Sequence, residues 1–198
     1  PKGRQEAAIK DGLRLGELFA SAACFARDLV NEPANRVTPT HLAKVAAEIA
    51  RDGRLRLKVY DRADCQKLGM GAYLGVAQGS EEPPKFIHLT YTPRGRGRRK
   101  IAIIGKGITF DSGGLDLKTA DGMRTMKDDM SGAAAVLAIM KALPALALPL
   151  EVHGLIAATE NMPSGTAQRP GDIVRALNGT TIEIGNTDAE GRLTLADA

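Results

Sequence analysis

Carboxylates gather where the pattern of the chain places the ends of strands. Asp111 stands in ITFDSGG, just after the apolar run Ile101–Ile104. Asp128 and Asp129 open an alanine-rich stretch, and Asp188 and Glu190 stand in NTDAEGR, just after Thr180–Ile184. Lys106, Lys118 and Arg192 are their basic neighbours. In open α/β sheets, sites collect outside the carboxyl ends of strands. Four acids converging there repel one another unless a cation lies between them. Hard oxygen donors without histidine favour Mg²⁺ or Mn²⁺, and Zn²⁺ also accepts carboxylates. Two ions sharing bridging carboxylates would make the kind of paired centre that hydrolyses peptides or phosphate esters. Each acid also has a plainer role open to it. Asp111 before Ser-Gly-Gly suits a turn, Asp129 a helix N-cap, Asp188 an Asx turn, and Glu190 an exposed first-turn acid.

Other chemistries lack their signatures. There is no HExxH, and His41, His88 and His153 are far apart in the sequence, which argues against a histidine-rich zinc site. No G-x-S-x-G elbow is present. Gly105-Lys106-Gly107 follows a strand but lacks the lead and the Ser/Thr of a phosphate-binding loop.

The elements that must position these residues can be read from periodicity. Arg4–Val30 carries an apolar stripe through Ile9, Leu13, Phe19, Ala23, Ala26 and Val30 and predicts one long helix, stopped by Asn31-Glu32-Pro33. Thr38-Pro39 predicts an N-cap and first helical residue, and Gly53 the end of that helix. Leu55–Tyr60 alternates as a half-buried strand does, and Asp61–Leu68 predicts a short helix. Ala72–Ala77 and Phe86–Tyr91 are read as strands. Ile101–Ile104 suits a strand covered on both faces. A helix from Asp129 to about Leu143 and a buried strand over Leu150–Thr159 follow. Asn178-Gly179 predicts a hairpin between Ile173–Leu177 and Thr180–Ile184. A last helix is expected from Leu193; it stops in mid-pattern at Ala198, as a piece of something longer would. Strands alternating with helices make an α/β sheet the natural architecture.

Composition narrows the classes. The 198 residues are 43% hydrophobic and 25% charged, an ordinary globular balance. Aromatics are 4% with no Trp, so the core must rest on Ala, Ile, Leu and Val. No apolar run reaches the roughly 18–20 residues of a membrane span. Two cysteines, Cys24 and Cys65, form neither a disulfide framework nor a metal knuckle, which favours a reducing, cytoplasmic setting. Much of the net charge of +4 sits in Arg94–Lys100 (RGRGRRK), a solvated loop or a nucleic-acid contact.

The octapeptide NTDAEGRL (Asn186–Leu193) resembles the signature of the leucyl, or cytosol, aminopeptidases. IGKGITFDSGG (Ile104–Gly114), MKDDMSGAA (Met126–Ala134), ENMPSGTAQRPGDI (Glu160–Ile173) and DLVNEPANRVTPTHLA (Asp28–Ala43) resemble family segments in the right order, so the likeness covers nearly the whole chain. It implies a three-layer α/β sandwich with a mixed, mostly parallel central sheet flanked by helices. It further implies that residues 1–30 are a connector helix and 31–198 the N-terminal part of a metallopeptidase catalytic domain, without the family's separate N-terminal domain and C-terminal part. By resemblance, Lys106, Asp111, Asp129, Asp188 and Glu190 ligate two divalent ions, Mn²⁺ or Zn²⁺ with Mg²⁺ or Co²⁺ as alternatives. Asp111 and Glu190 bridge, Asp188 completes the exchangeable site, and Lys106 with Asp129 completes the tighter one. Lys118 and Arg192 match the two catalytic basic residues, Arg192 holding a bicarbonate that Gly191 lets approach. The implied activity removes N-terminal residues, leucine and others, from peptides, in a cytoplasmic hexamer. Two other readings stand beside it. One is a DNA-binding or scaffolding role resting on Arg94–Lys100; the other is a two-metal phosphoesterase, which has no use for a ligating Lys106.

Overall fold

The computed structural model describes residues 2–93 and 99–198. The basic run Arg94–Lys100 therefore lies mostly outside the described residues. Its last members, Arg99 and Lys100, open a strand, and Lys100 pairs with Glu151 at 2.9 Å.

Helix α1 (Lys2–Asn31) leads into α2 (Pro39–Gly53), where the Thr38 hydroxyl accepts from the His41 amide and Pro39 takes the first position. The left-handed residue that closes α2 is Arg54 (φ 54°), one past the expected Gly53. Strand β1 (Arg56–Tyr60) follows, then α3 (Arg62–Leu68), which Asp61 and Asp64 begin with a capping box. Residues 72–77, expected to be a strand, form helix α4 (Gly71–Ala77). Their apolar run is too short for periodicity to separate strand from helix. Gly71 lets this helix lie against the backbone of Arg175, whose carbonyl oxygen would stand 2.3 Å from an added Cβ.

Strands β2 (Lys85–Tyr91), β3 (Arg99–Asp111) and β4 (Leu150–Asn161) complete the sheet, in the order β1-β2-β4-β3. Between β3 and β4 run the single turn α5 (Ala120–Met123), a 3-10 turn (Met126–Asp128) and α6 (Ser131–Leu146). This crossover makes β3 and β4 parallel. The sheet is mixed and helix-flanked, as expected. Its parallel share is smaller than expected, because β1–β2 and β2–β4 both pair antiparallel. After β4, the hairpin of β5 (Ile173–Arg175) and β6 (Thr181–Glu183) turns at Gly179 (φ 89°). A 3-10 turn (Thr187–Ala189) then leads into α7 (Glu190–Asp197). That helix starts three residues before the expected Leu193, which places Glu190 and Arg192 in its first turn.

Side chains alternate across the sheet and bury both faces. Ile87, Leu89, Val152, Ile156 and Ala158 meet α2 and α6, with Leu29 of α1, in the larger core. Phe86 and Ala157 face Cys65, Met70 and Tyr73 on the other side. The result is three layers, α/β/α. Strand β3 ends the described sheet, so Ile101 and Ile104, expected to be covered on both faces, are 43% and 44% exposed. Within Ala120–Leu146 an 18-residue window has the mean hydropathy (1.4) of a membrane span, a reading the sequence had not suggested. Its long helix, α6, supplies core residues Ala133, Ala134, Val136, Leu137 and Met140.

Candidate metal centre

The carboxyl end of β3, the turns that follow it and the start of α7 bring together six of the eight residues singled out in the sequence. Lys106 lies in β3 and Asp111 ends it. Gly113 (φ 89°) and Gly114 (φ 69°) then turn the chain back, and the Gly113 amide donates to Asp111 Oδ1 at 2.8 Å. This turn returns Lys118, whose amide donates to the Ser112 carbonyl. Lys118 Nζ lies 3.0 Å from Asp111 Oδ2 and 2.5 Å from Asp188 Oδ1. Asp129 closes the 3-10 turn before α6; Met130, not Asp129, occupies the N-cap, so the capping role open to Asp129 is not the one it takes.

Lys106 is the second cation. Its Nζ lies 2.8 Å from Asp129 Oδ2 and 2.7 Å from Glu190 Oε1. Three glycines permit this. A Cβ on Gly105 would meet the Gly132 carbonyl oxygen at 2.5 Å, and one on Gly132 would meet the Lys106 amide at 2.8 Å, so β3 and α6 cross with backbones in contact. A Cβ on Gly191 would fall 2.9 Å from Lys106 Cδ, Cε and Nζ. Gly191 thus makes room for the lysine, a neighbour the sequence had not indicated.

Residues that the sequence did not single out lock the two halves of the centre. The Thr187 amide donates to Asp116 Oδ2 (2.6 Å), the Asp116 amide to Thr187 Oγ1 (2.8 Å), and Thr187 Oγ1 to the Gly113 carbonyl (2.7 Å). Asn161 Nδ2 donates to Asp111 Oδ1 (2.8 Å) and to the Thr187 carbonyl (3.1 Å). Asn161 and Thr187 lie in segments that carried the resemblance, whereas Asp116 lies in none of them. Asp188 does form a local turn, its amide donating to Asn186 Oδ1 at 2.7 Å, but its carboxylate points into the cluster toward Lys118.

The electrostatics are those of crowded acids. Burial, with Glu190 and Asp111 adding to it against Lys106, pushes Asp129 up to about 6. Burial works to lower Lys106, but Asp129 and Glu190 outweigh it and raise its pKa, so without metal this lysine is a firmly held ammonium. Lys118 is raised likewise: Asp188 and Asp111 outweigh its burial. Four carboxylates face these two lysines. Asp129 Oδ2, Asp188 Oδ1 and Glu190 Oε1 are buried with these ammonium groups as their partners, and Glu190 Oε2 is buried without a hydrogen bond. Native interiors seldom leave acceptors so stranded unless an ion or water belongs there. Asp111, Asp129 and Glu190 each offer an oxygen within 4.8 Å of the others. An oxygen-rich set with one amine fits hard or borderline divalent ions.

Two residues stand apart. Asp128 is not among the three acids whose oxygens converge. Arg192 is exposed and lines an open cleft with Ile182, Ile184, Asn186 and Leu193, rather than joining the ion pairs that link the other six. The histidines take no part in the acid cluster among the described residues. His88 and His153, distant in sequence, meet across β2 and β4 with ring nitrogens 2.9 Å apart, and His153 also bonds Glu151. Neighbouring strands bring them together, well away from the carboxylates.

Comparison with known proteins places this geometry. The model of the cytosol aminopeptidase family catalytic domain matches residues 24–198. A probable cytosol aminopeptidase of Sulfurihydrogenibium sp. (strain YO3AOP1) is 54% identical over 198 residues, covering 100% of this chain and 39% of its own length. One from Thermosynechococcus vestitus is 59% identical over 197 residues, covering 99% and 39%. The solved structure of the bottromycin maturation enzyme BotP in complex with Mn is 47% identical with a TM-score of 0.91, over 95% of this chain and 41% of that one. The chain thus spans about two fifths of the length of the curated relatives it matches.

Proposed function

We propose that this chain, which belongs to the cytosol aminopeptidase family, forms the metal-holding part of an enzyme that removes N-terminal residues from peptides. The observation that carries the reading is Glu190. Its side chain is 1% exposed, it shares the single Lys106 ammonium with Asp129, and it offers an oxygen within 4.8 Å of those of Asp111 and Asp129. Such a carboxylate is costly to bury unless a cation is its partner.

Lys106, Asp111, Asp129, Asp188 and Glu190 would hold two divalent ions. The Mn in the complex of a structural relative supports Mn²⁺ here, with Zn²⁺, Mg²⁺ or Co²⁺ as alternatives. Asp111 and Glu190 are the bridging candidates, being the most buried of the acids. Asp188, whose side chain is 32% exposed, would complete the exchangeable site. Ions held there would supply an acidified water and Lewis-acid polarisation of the scissile carbonyl. Lys106 must then give up its proton to act as a ligand, and Gly191 keeps it within reach. Lys118 lies at the mouth, between Asp111 and Asp188. Once those acids turn to cations, its ammonium is available to steady the oxygen of the scissile carbonyl. Arg192, open to solvent in the first turn of α7, is the candidate holder of bicarbonate. Residues 1–30 would be a connector helix: Phe25, Ala26, Leu29 and Val30 pack on the core, while Ile9, Leu13 and Phe19 stay exposed. A cytoplasmic, hexameric whole protein belongs to the same proposal. The phosphoesterase alternative gives the Lys106 contacts no purpose.

The test is hydrolysis of aminoacyl chromogenic substrates by the full-length protein, with chelator and with restored Mn²⁺. Activity should vanish with chelator, return with Mn²⁺, and fall at least a hundredfold in Lys118→Ala and Asp188→Ala, the scale of losing one charge-stabilising group. Unchanged turnover in either variant overturns the reading.

A further inference from the structure

We infer that Asn161 is a positioning residue of this centre: it fixes Asp111 so that one carboxylate oxygen, Oδ2, faces the cations, and it ties that carboxylate to the loop carrying Asp188 and Glu190. The inference rests on the metal-site reading above and adds a residue to it. Asn161 ends β4 in register with Asp111 at the end of β3, beyond a register shift between Ile108 and Asp111. It is 2% exposed. Its carbonyl accepts from the Ser112 amide (3.0 Å) and hydroxyl (2.7 Å), so its backbone is anchored on the strand end it serves.

The side chain does the positioning. One nitrogen, Nδ2, supplies both of its N–H groups, to Asp111 Oδ1 at 2.8 Å and to the Thr187 carbonyl at 3.1 Å. Two acceptors on that side fix which end of the amide is nitrogen. Asn161 Oδ1 lies against Gly114, where a Cβ would come within 2.9 Å of it. Asp111 Oδ1 therefore receives two N–H donors, from Asn161 and from the Gly113 amide. The remaining oxygen, Oδ2, is the one 3.0 Å from the Lys118 ammonium, which occupies a cation's place. Oδ2 is thus the Asp111 oxygen left free of N–H donors. Thr187 precedes Asp188 directly, so the second bond holds the other half of the centre at a set distance. An aspartate offers neither donor, and a serine or histidine at most one in that direction. Hydrogen-bond partners of ligating carboxylates typically change metal affinity 10–100-fold.

The experiment measures Mn²⁺ binding to the full-length protein by titration calorimetry and by the spin-resonance signal of free Mn²⁺, beside melting temperature and peptide turnover. Asn161→Leu keeps the branched shape and removes both donors; Asn161→Ser keeps one. The expected result is Mn²⁺ affinity about 10–100-fold weaker in Asn161→Leu, a smaller loss in Asn161→Ser, and a fall in kcat exceeding any change in KM. Variants that bind Mn²⁺ as tightly as the parent, with only a lower melting temperature, overturn the positioning role. If Asn161→Leu does not fold, Asn161→Ser alone carries the same two outcomes. A parent protein that binds no Mn²⁺ overturns the metal-site reading, and this inference with it.

Discussion

At the residue scale, the most sensitive contact is the one that reads as nothing in sequence, the missing side chain of Gly191. The aliphatic end of Lys106 fills the space a Cβ would take. Gly191→Ala must push the amine away from Asp129 and Glu190, since α7 backbone lies on one side and the acids on the other. In the full-length protein we expect Mn²⁺ affinity and peptide turnover to fall about tenfold or more, with little change in melting temperature, because the fold's cores lie elsewhere. Calorimetric Mn²⁺ titration of the variant checks it, and an unaltered affinity would show that Lys106 reaches its place by another route. The histidine pair gives a pH prediction. Burial, then His153, Arg56 and Lys58, lower the pKa of His88 below its ordinary 6.5. As pH falls through 6.5 the unfolded chain takes this proton before the folded one, so the unfolded state binds more protons and stability declines. Above 6.5 the contribution is fully present; it is lost toward and through the lowered folded pKa. His88→Gln should flatten the melting temperature between pH 7 and pH 5 relative to the parent.

At the element scale, the same physics explains what was legible. Asp111 ends a strand, Asp129 follows a 3-10 turn, and Asp188 and Glu190 lead into α7, so the motifs placed them near one another, while Lys106 inside β3 and Lys118 in the following loop were marked by the resemblance. Helix α4 was not legible. Its apolar run has no period, and what makes it helical is distant in sequence. The Tyr73 hydroxyl donates to the Ala158 carbonyl at 2.7 Å, and the Tyr73 amide, in the first turn where helices lack internal acceptors, donates to Asp197 Oδ2 at 2.8 Å. Asp197 Oδ1 also accepts from the Leu177 amide at 2.7 Å, so one carboxylate, 5% exposed, ties α7 to α4 and to the end of β5. No periodicity reports a cap supplied from 124 residues away. The first turn of α7, also missed, starts at Glu190 because Asn186 shapes the 3-10 turn that delivers it. Asp197→Ala leaves the buried Tyr73 amide without an acceptor, water taking over at the more exposed Leu177, and should destabilise by about 1–3 kcal/mol. Chemical denaturation of the parent and variant measures it. A change under 0.5 kcal/mol would mean α4 is held by its apolar face alone.

At the scale of the whole molecule, the question is what the edge of the sheet meets. Strand β3 pairs with β4 on one side, and its other edge has no strand partner among the described residues. Ile101 and Ile104 stand out from it at 43% and 44% exposure, on opposite faces, in register with Val152 and Leu155. A long edge with apolar side chains on both faces is a template for pairing with another chain. The curated relatives are more than twice the length matched here, which provides ample chain to cover that edge in the whole protein. The two situations give opposite signs for one double substitution. Ile101→Lys with Ile104→Lys places charges along the edge. In the 198-residue segment alone this should raise the fraction of soluble monomer in light scattering, because like charges block strand pairing. In the full-length protein the same charges would be buried against the covering chain and should lower the melting temperature by several degrees, as burial of unpaired charge does. A full-length variant that melts with the parent would show that β3 is an open edge in the whole molecule as well, and that the cores described here close the fold without it.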